Sequence, residues 1–276
     1  MTVPLDPLSR LGYAAPTSLV QAVRFANGDE TTVGETLAEE TPVTLSYNGA
    51  AHAVMMTTPA DLEEFAIGFS ITEGVVDLAS EIERIQVVRH GRGIDLQIEV
   101  SPALAARAGT HSRRLSGRTG CGICGTDSVD QVLRALPVVT AELRVTSVAI
   151  QRAMRALAAR QPLNAATGAV HAAGWATADG GLVEVREDVG RHNALDKLVG
   201  ALLRGGHPVA EGFVVVTSRG SFELVQKVAI LGAPLLAAVS APTALAVRVA
   251  QQAGVTLCGF ARNDRVTVYA HRARVT

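Results

Sequence analysis

Phe213-Val214-Val215-Val216-Thr217-Ser218-Arg219-Gly220-Ser221 begins as an apolar run and ends in small and polar residues. A short apolar run that is closed by a turn is typical of a strand buried on both faces of a sheet. Helical spacing of apolar residues follows at once, from Glu223 to Leu231. This succession of strand, loop and helix predicts an α/β domain.

The same alternation continues on both sides of this stretch. Strands are predicted at Ala169–Thr177, Leu182–Glu187, Leu235–Val239, Val255–Phe260 and Val266–Ala270, and helices at Val148–Arg160, Asn193–Arg204 and Pro242–Ala253. Strands that alternate with helices of about three turns predict a three-layer α/β domain. We assign residues 147–276 to it.

Residues 1–110 follow a different pattern, in which two strand pairs flank one helix. The predicted strands are Ala22–Phe25, Thr41–Tyr47, Ala50–Met56, Ile85–Arg89 and Ile94–Val100. The helix is predicted to start at Thr58 as its N-cap, to carry acidic residues in its first turn and to end at Gly74. The order predicts a small α+β roll, joined to the second domain by a linker over residues 111–146.

The composition excludes several classes of protein. Lys and Arg number 25 and Asp and Glu 26, a formal net charge of −1, so no overall attraction to nucleic acid or membranes is expected. Three cysteines argue against a secreted disulfide scaffold, and Met1–Arg10 has no apolar run for a signal peptide. A cytoplasmic location is predicted. Val228–Val247 lacks charge, but its prolines predict a helix end, a buried strand and a helix start rather than a membrane span.

A CxxC motif lies in the linker, where Cys121 and Cys124 stand among four glycines in Gly117–Asp127. The segment has neither helical nor strand periodicity, so a mobile loop is predicted. Arg113, Arg114 and nearby basic residues favour the thiolate form of both cysteines.

Three chemistries suit such a pair of cysteines. Tetrahedral zinc needs four ligands, and one chain offers no second CxxC and no closely spaced histidine pair, although two chains could share a metal. A thioredoxin-like redox pair lies after a strand, at the start of a helix, and has a bulky residue before its first cysteine. Here Gly120 precedes Cys121, and no strand is predicted before the motif. A persulfide carrier, in which one thiolate holds a sulfane sulfur, fits the loop better.

Polar residues of the second domain cluster where predicted strands meet helices, at residues 188–193, 217–221 and 240–243. In an open α/β sheet these junctions line the edge where ligands bind, and helix N-termini there attract anions. A phosphorylated ligand would be bound by Asp188, Arg191, His192, Ser218, Arg219, Ser221 and Lys227. Taken singly, each junction is better explained as an ordinary helix cap, formed by Asp188, Ser218 or Ser240. Three such junctions at one edge, with arginines, favour a pocket.

The connection between the last two strands is a further candidate. It consists of Phe260, Ala261, Arg262, Asn263, Asp264 and Arg265. Arginine side chains suit phosphate, and a carboxylate can accept hydrogen bonds from a guanine edge. An ordinary charged hairpin turn explains the same residues equally well.

Several motifs together resemble the FdhD family of formate dehydrogenase accessory sulfurtransferases. They are Thr58-Pro59-Ala60-Asp61-Leu62-Glu63-Glu64, Cys121-Gly122-Ile123-Cys124-Gly125, Thr167-Gly168-Ala169-Val170-His171, Arg186-Glu187-Asp188-Val189-Gly190-Arg191-His192-Asn193-Ala194-Leu195-Asp196-Lys197, Ser218-Arg219-Gly220-Ser221-Phe222-Glu223 and Ser240-Ala241-Pro242-Thr243. The likeness extends from about residue 17 to residue 270.

The resemblance implies a sulfur carrier. Cys121, assisted by Cys124, would accept persulfide sulfur from a cysteine desulfurase. The protein would pass it to the molybdenum of a bis(molybdopterin guanine dinucleotide) cofactor, which then enters apo formate dehydrogenase. The loop Phe260–Arg265 would bind this cofactor, and the protein would be a homodimer. The alternative is a chaperone that binds the cofactor without sulfur chemistry.

The resemblance also implies a cytidine deaminase-like second domain without zinc. Zinc deaminases carry His-x-Glu at one helix start and Pro-Cys-x-x-Cys at the next. Here the corresponding helix starts are His192-Asn193-Ala194 and Ser221-Phe222-Glu223-Leu224, which lack the general acid and both thiolate ligands. We therefore expect a nucleotide pocket and no bound metal.

Overall fold

A computed structural model describes residues 15–90, 93–112 and 135–276. These residues form mixed α/β structure with three β-sheets and seven α-helices. The strands are β1 Thr17–Ala26, β2 Asp29–Ala38, β3 Thr41–Tyr47, β4 Ala50–Thr57, β5 Ile82–His90, β6 Gly93–Val100, β7 His171–Thr177, β8 Leu182–Asp188, β9 Gly212–Val216, β10 Leu235–Ala238, β11 Thr256–Arg262 and β12 Arg265–Ala270. The helices are α1 Leu62–Thr72, α2 Pro102–Ser112, α3 Ser147–Ala159, α4 Pro162–Thr167, α5 Arg191–Arg204, α6 Phe222–Leu231 and α7 Ala244–Ala253.

The N-terminal domain is built on a four-stranded sheet in the order β4-β3-β6-β5. Alternate residues of its strands, such as Leu45 and Leu96, pack against Phe65 and Phe69 of α1. The predicted strand pairs and helix are confirmed, whereas β2 and α2 were not predicted. β1 and β2 form a separate two-stranded hairpin, most of whose side chains are exposed.

The start of α1 differs from the prediction. The helix begins at Leu62 with Asp61 as N-cap in a left-handed conformation, and Thr58 does not cap it. The backbone amide of Thr58 instead donates to Asp188, and its hydroxyl accepts from the amide of Val189, both in the second domain. Contacts between the domains therefore fix this segment.

The C-terminal domain has a six-stranded sheet in the order β12-β11-β10-β9-β7-β8. Side chains of α5, α6 and α7 pack on one face of the sheet. Those of α3 pack on the other face, with Phe213, Val215 and Cys258. This gives three layers, as predicted, because β9 and β10 are apolar on both faces.

The last part of the predicted linker belongs by its contacts to the C-terminal domain. Residues 135–146 run along that domain, and Leu143 and Val145 are buried in its core. The amide of Val139 donates to the carbonyl of Ala253, and Val145 pairs with Val275. Residues 135–146, which were predicted to be part of the linker, therefore pack as part of the C-terminal domain.

The two domains meet where α1 crosses α5 at closest approach. A Cβ on Gly68 would lie 1.7 Å from the carbonyl oxygen of Asp196, and a Cβ on Gly200 would lie 1.9 Å from that of Glu64. Any side chain at either position would force the helices apart. The domains therefore pack backbone against backbone at this crossing.

The uncharged segment Val228–Val247 comprises the end of α6, strand β10 and the start of α7, as predicted. Within the described ranges, no helix combines the length and the apolar character needed to cross a membrane.

Candidate functional site

Four chain segments with polar side chains meet at one edge of the six-stranded sheet. β9, β10 and β11 are parallel neighbours, and β8 has the same direction because both β8 and β9 are antiparallel to β7. The carboxyl ends of these four strands therefore share an edge, at which residues 188–193, 217–221, 240–243 and 260–265 lie. The topology thus brings together the first three segments as predicted, and it adds residues 260–265, which were a separate candidate.

The helix starts at this edge differ in how they are capped. Thr243 caps α7, since its hydroxyl accepts from the amide of Ala246 at 3.2 Å. Ser221 is the N-cap residue of α6 but makes no capping bond, and its buried hydroxyl has no hydrogen-bond partner among the described residues. A helix start with an unsatisfied buried hydroxyl can receive an anionic ligand. The N-cap residues at this edge are thus Gly190, Ser221 and Thr243, and the capping roles expected for Asp188, Ser218 and Ser240 were wrong.

The predicted site residue His192 lies against a carboxylate that the sequence did not reveal as its neighbour. Its Nε2 is 2.8 Å from Oε2 of Glu223 but makes no hydrogen bond among the described residues, and the two side chains are only 14% and 15% exposed. The contact joins the first turn of α5 to the first turn of α6. His171 lies nearby at the start of β7, where burial, Arg191 and His192 lower its pKa below the usual value.

The hairpin between β11 and β12 has an unusual backbone. Phe260, Asn263 and Asp264 have φ values of 49°, 50° and 57°, in the left-handed region. For a bulky side chain such as Phe260 this conformation costs roughly 1–2 kcal/mol. Strain of this kind persists only where the surrounding structure enforces it, and it is often found at binding sites.

The side chains of this hairpin differ in what they can offer to a ligand. The guanidinium of Arg265 lies 5.0 Å from the ring centre of Phe260, and Arg262 is exposed beside them. Ala261 is 1% exposed and packs in the core, so only its backbone can meet a ligand. Asp264 is paired with Arg155 at 3.1 Å and is 85% exposed. Asn263 is exposed at the tip.

Asp188 does not face an open pocket, contrary to the prediction. It is fully buried, and its Oδ2 contacts Nζ of Lys197 at 2.6 Å and accepts from the amide of Thr58 at 2.9 Å. Its Oδ1 accepts from the amide of Gly190 at 2.7 Å and from Asn193 at 3.0 Å. The carboxylate is thus fully used in shaping the loop that leads into α5. The sequence named Lys197 only as the last residue of a family motif, and its pairing with Asp188 has no local signal.

Lys227 is also buried rather than open to a ligand. Its Nζ lies 2.9 Å from Oδ1 of Asp196, 3.1 Å from Glu73 and 2.8 Å from the hydroxyl of Thr72. Glu73 and Thr72 belong to the N-terminal domain, so this cluster joins the domains. A burial of this kind is not visible in the sequence, because a charged residue is normally assigned to the surface.

Of the remaining predicted residues, Arg219 is exposed at the edge, and Ser218 is buried there with its hydroxyl donating to the carbonyl of Arg219. Cys121 and Cys124, with the loop predicted around them, lie outside the described residues. Cys258 is buried in β11, where burial raises the pKa of its thiol to about 12. It is therefore not a candidate carrier of sulfur.

Fold and site together define a two-domain α/β protein with several arginines at one edge of its larger sheet. The sequence profile of the FdhD/NarQ family matches residues 38–276. A sulfur carrier protein FdhD from Xanthomonas campestris pv. campestris (strain B100) is 52% identical over 261 residues, which cover 94% of this chain and 93% of that protein. A protein of the same description from Bordetella petrii is 48% identical over 274 residues, with 97% and 99% covered.

A solved structure agrees with these matches. The crystal structure assigned to a formate dehydrogenase accessory protein from Desulfotalea psychrophila has a TM-score of 0.74 and 26% identity, covering 94% of this chain and 99% of that one. The chain belongs to the FdhD/NarQ family, which confirms the resemblance identified from its motifs.

Proposed function

We propose that this protein carries sulfur as a persulfide on Cys121 and delivers it to the molybdenum of a bis(molybdopterin guanine dinucleotide) cofactor. Membership in a family whose relatives are described as sulfur carrier proteins supports the first half of the proposal. The CxxC motif among glycines and basic residues supplies the chemistry, since nearby positive charge favours thiolates. The protein would thus act as a sulfurtransferase.

The two cysteines have complementary tasks in this proposal. A cysteine desulfurase transfers sulfane sulfur to the Cys121 thiolate, which forms the persulfide. The Cys124 thiolate then attacks the inner sulfur, so that a disulfide forms, the bond to the outer sulfur breaks, and hydrosulfide leaves. Cys124 is oxidised in this step, and the outer sulfur takes up the two electrons. The hydrosulfide replaces an oxygen ligand of molybdenum, and a dithiol reductant later restores the CxxC pair.

The observation that carries the cofactor half of the proposal is the unsatisfied start of α6 at the basic sheet edge. Ser221 is buried without a partner among the described residues, and Arg191, Arg219, Arg262 and Arg265 belong to the same edge. Arginines and open helix starts suit the phosphates of a dinucleotide. The strained Phe260–Arg265 hairpin suits the guanine and its neighbouring phosphate.

The remaining parts of the proposal concern partners and architecture. Cysteine desulfurase donates the sulfur, apo formate dehydrogenase receives the cofactor, and the exchange takes place in the cytoplasm. The second domain is proposed to resemble the cytidine deaminase fold and to hold no zinc of its own. Exposed apolar side chains on the hairpin β1–β2, with Leu19 and Phe25 the most exposed, support the proposed homodimer.

The experiment that tests the proposal separates sulfur transfer from cofactor binding. Cys121→Ala should leave the affinity for GDP within about twofold of wild type, because the proposed nucleotide contacts come from the sheet edge of the second domain. The same change should abolish formate dehydrogenase activity in cells that depend on this protein. Full activity of the variant would contradict sulfur transfer and would favour the chaperone that binds the cofactor without sulfur chemistry. Cys258→Ala is the matched control and should retain activity.

A further inference from the structure

The loop that leads into α5 is held by groups of the N-terminal domain. The amide of Val189 donates to the hydroxyl of Thr58 at 3.1 Å. The amide of Thr58 donates at 2.9 Å to Oδ2 of Asp188, which also accepts from the hydroxyl of Thr57. Asp188 and Val189 lie at the carboxyl end of β8, so this edge of the second domain takes part of its shape from the first domain.

Further contacts close this junction between the domains. Nζ of Lys197 donates to the carbonyl of Thr58 at 2.8 Å and contacts Asp188 at 2.6 Å. The side-chain amide of Asn193 donates at 2.8 Å to the carbonyl of Met56 and at 3.0 Å to Oδ1 of Asp188. The side chains of Thr58, Asp188, Asn193 and Lys197 are all buried. A hydrogen bond lost among them is therefore not readily replaced by one to water.

The same junction sets where α5 begins. Gly190 is the N-cap residue, and its amide donates to Oδ1 of Asp188 at 2.7 Å. A Cβ at Gly190 would lie 2.9 Å from Nδ2 of Asn193, so the loop is closely packed on that side. Arg191 follows directly as the first residue of α5 and is one of the arginines of the sheet edge. The position of Arg191 therefore depends on the contacts that Thr58 makes with this loop.

We propose that Thr58 is a positioning residue for the nucleotide-binding edge, on which it acts through Val189 and Asp188 without touching the ligand. The N-terminal domain thereby sets the affinity of a site that lies on the second domain. Because the free loop is already held in its binding conformation, little binding energy is lost in ordering it. The inference rests on the proposed binding of the cofactor's nucleotide at this edge and adds a residue from outside the candidate ligand groups.

The test compares variants of the full-length protein by calorimetric titration with GDP. Thr58→Val keeps the shape of the side chain and both backbone hydrogen bonds of Thr58, but it removes the acceptor for the amide of Val189. It should weaken GDP binding by about 5- to 10-fold, because other loop conformations then compete with the one that binds. Thr58→Ser restores an acceptor and should bind GDP within about twofold of wild type.

Tyr47→Phe is the matched control for a general loss of stability. The hydroxyl of Tyr47 pairs with that of Ser70 at 2.8 Å in the core of the N-terminal domain, so this change also removes one buried hydrogen bond. It should lower Tm as Thr58→Val does and leave GDP affinity at the wild-type level. Hydrogen–deuterium exchange without GDP gives a second measurement, in which residues 188–193 should exchange faster in Thr58→Val than in Tyr47→Phe.

The outcomes separate this inference from the proposal on which it rests. If wild-type protein binds no GDP, the nucleotide site itself is wrong, and the positioning role is lost with it. If wild type binds GDP and Thr58→Val binds it equally tightly, the positioning role alone is wrong. Equal weakening of GDP binding by Tyr47→Phe would also overturn that role, because a general loss of stability would then explain both variants.

Discussion

Lys227→Met distinguishes a buried structural lysine from a ligand-binding one. The Lys227 side chain is 8% exposed and that of Asp196 is 2% exposed, so removing the ammonium leaves a carboxylate buried without its counter-ion. Breaking a buried ion pair on one side costs about 3–5 kcal/mol. For a chain of this size each kcal/mol lowers Tm by about 2–4 °C, so we expect a decrease of roughly 6–20 °C.

Thermal unfolding followed by circular dichroism measures this decrease, and a double variant tests its cause. Lys227→Met combined with Asp196→Leu should recover most of the stability that the single change removes, because neither charge then remains buried. Arg204→Met is the control: Arg204 pairs with Glu63 on the surface, and its loss should cost about 0–1 kcal/mol. A Tm of Lys227→Met within about 2 °C of wild type, together with weaker GDP binding, would refute the structural role and restore Lys227 to the ligand site.

Three further predictions concern the thiols, the hairpin and the assembly. Because burial raises the pKa of Cys258 to about 12, native protein at pH 8 should be alkylated at the two CxxC cysteines and at Cys258 only after denaturation; rapid native labelling of Cys258 would contradict its burial. Arg262→Ala with Arg265→Ala should weaken GDP binding by about 1.5–3 kcal/mol for each guanidinium that binds the nucleotide, measured by calorimetry, and unchanged affinity would move the pocket elsewhere. Leu19→Ser with Phe25→Ser should shift the proposed homodimer toward monomer in analytical ultracentrifugation, since these side chains are 73% and 72% exposed; an unaltered dimer would exclude this surface.

Local sequence patterns predicted most of the second domain. The apolar run at Phe213 and the helical spacing after Glu223 act within a few residues, so strand and helix could be predicted without the rest of the fold. The convergence of the strand-to-helix junctions could also be predicted, because parallel strands place their carboxyl ends on one edge of the sheet.

Features that depend on the other domain could not be predicted in this way. The local sequence predicts that Thr58 is an N-cap. Its hydroxyl instead accepts a hydrogen bond from the amide of Val189, and its amide donates one to Asp188, both about 130 positions away in the chain. Lys227 was predicted to bind a ligand and Lys197 was given no role of its own, yet each neutralises a buried aspartate. Gly68 and Gly200 carry no local turn signal, because their small size matters only where two helices cross.

The His192–Glu223 pair illustrates the same limit at the site itself. His192 was a predicted site residue, whereas Glu223 was assigned only to a helix start, where acidic residues are common. The two residues are too far apart in the chain to give a local signal, and only the packing of α5 beside α6 brings them together.

The central claim, that this protein is a sulfur carrier, is tested most directly by its intact mass after incubation with a cysteine desulfurase and cysteine. We expect a gain of one sulfur atom that a thiol reductant removes, that is absent in Cys121→Ala and that persists in Cys258→Ala. An unchanged mass for wild-type protein, or the same gain in Cys121→Ala, would contradict the assignment of Cys121 as the carrier.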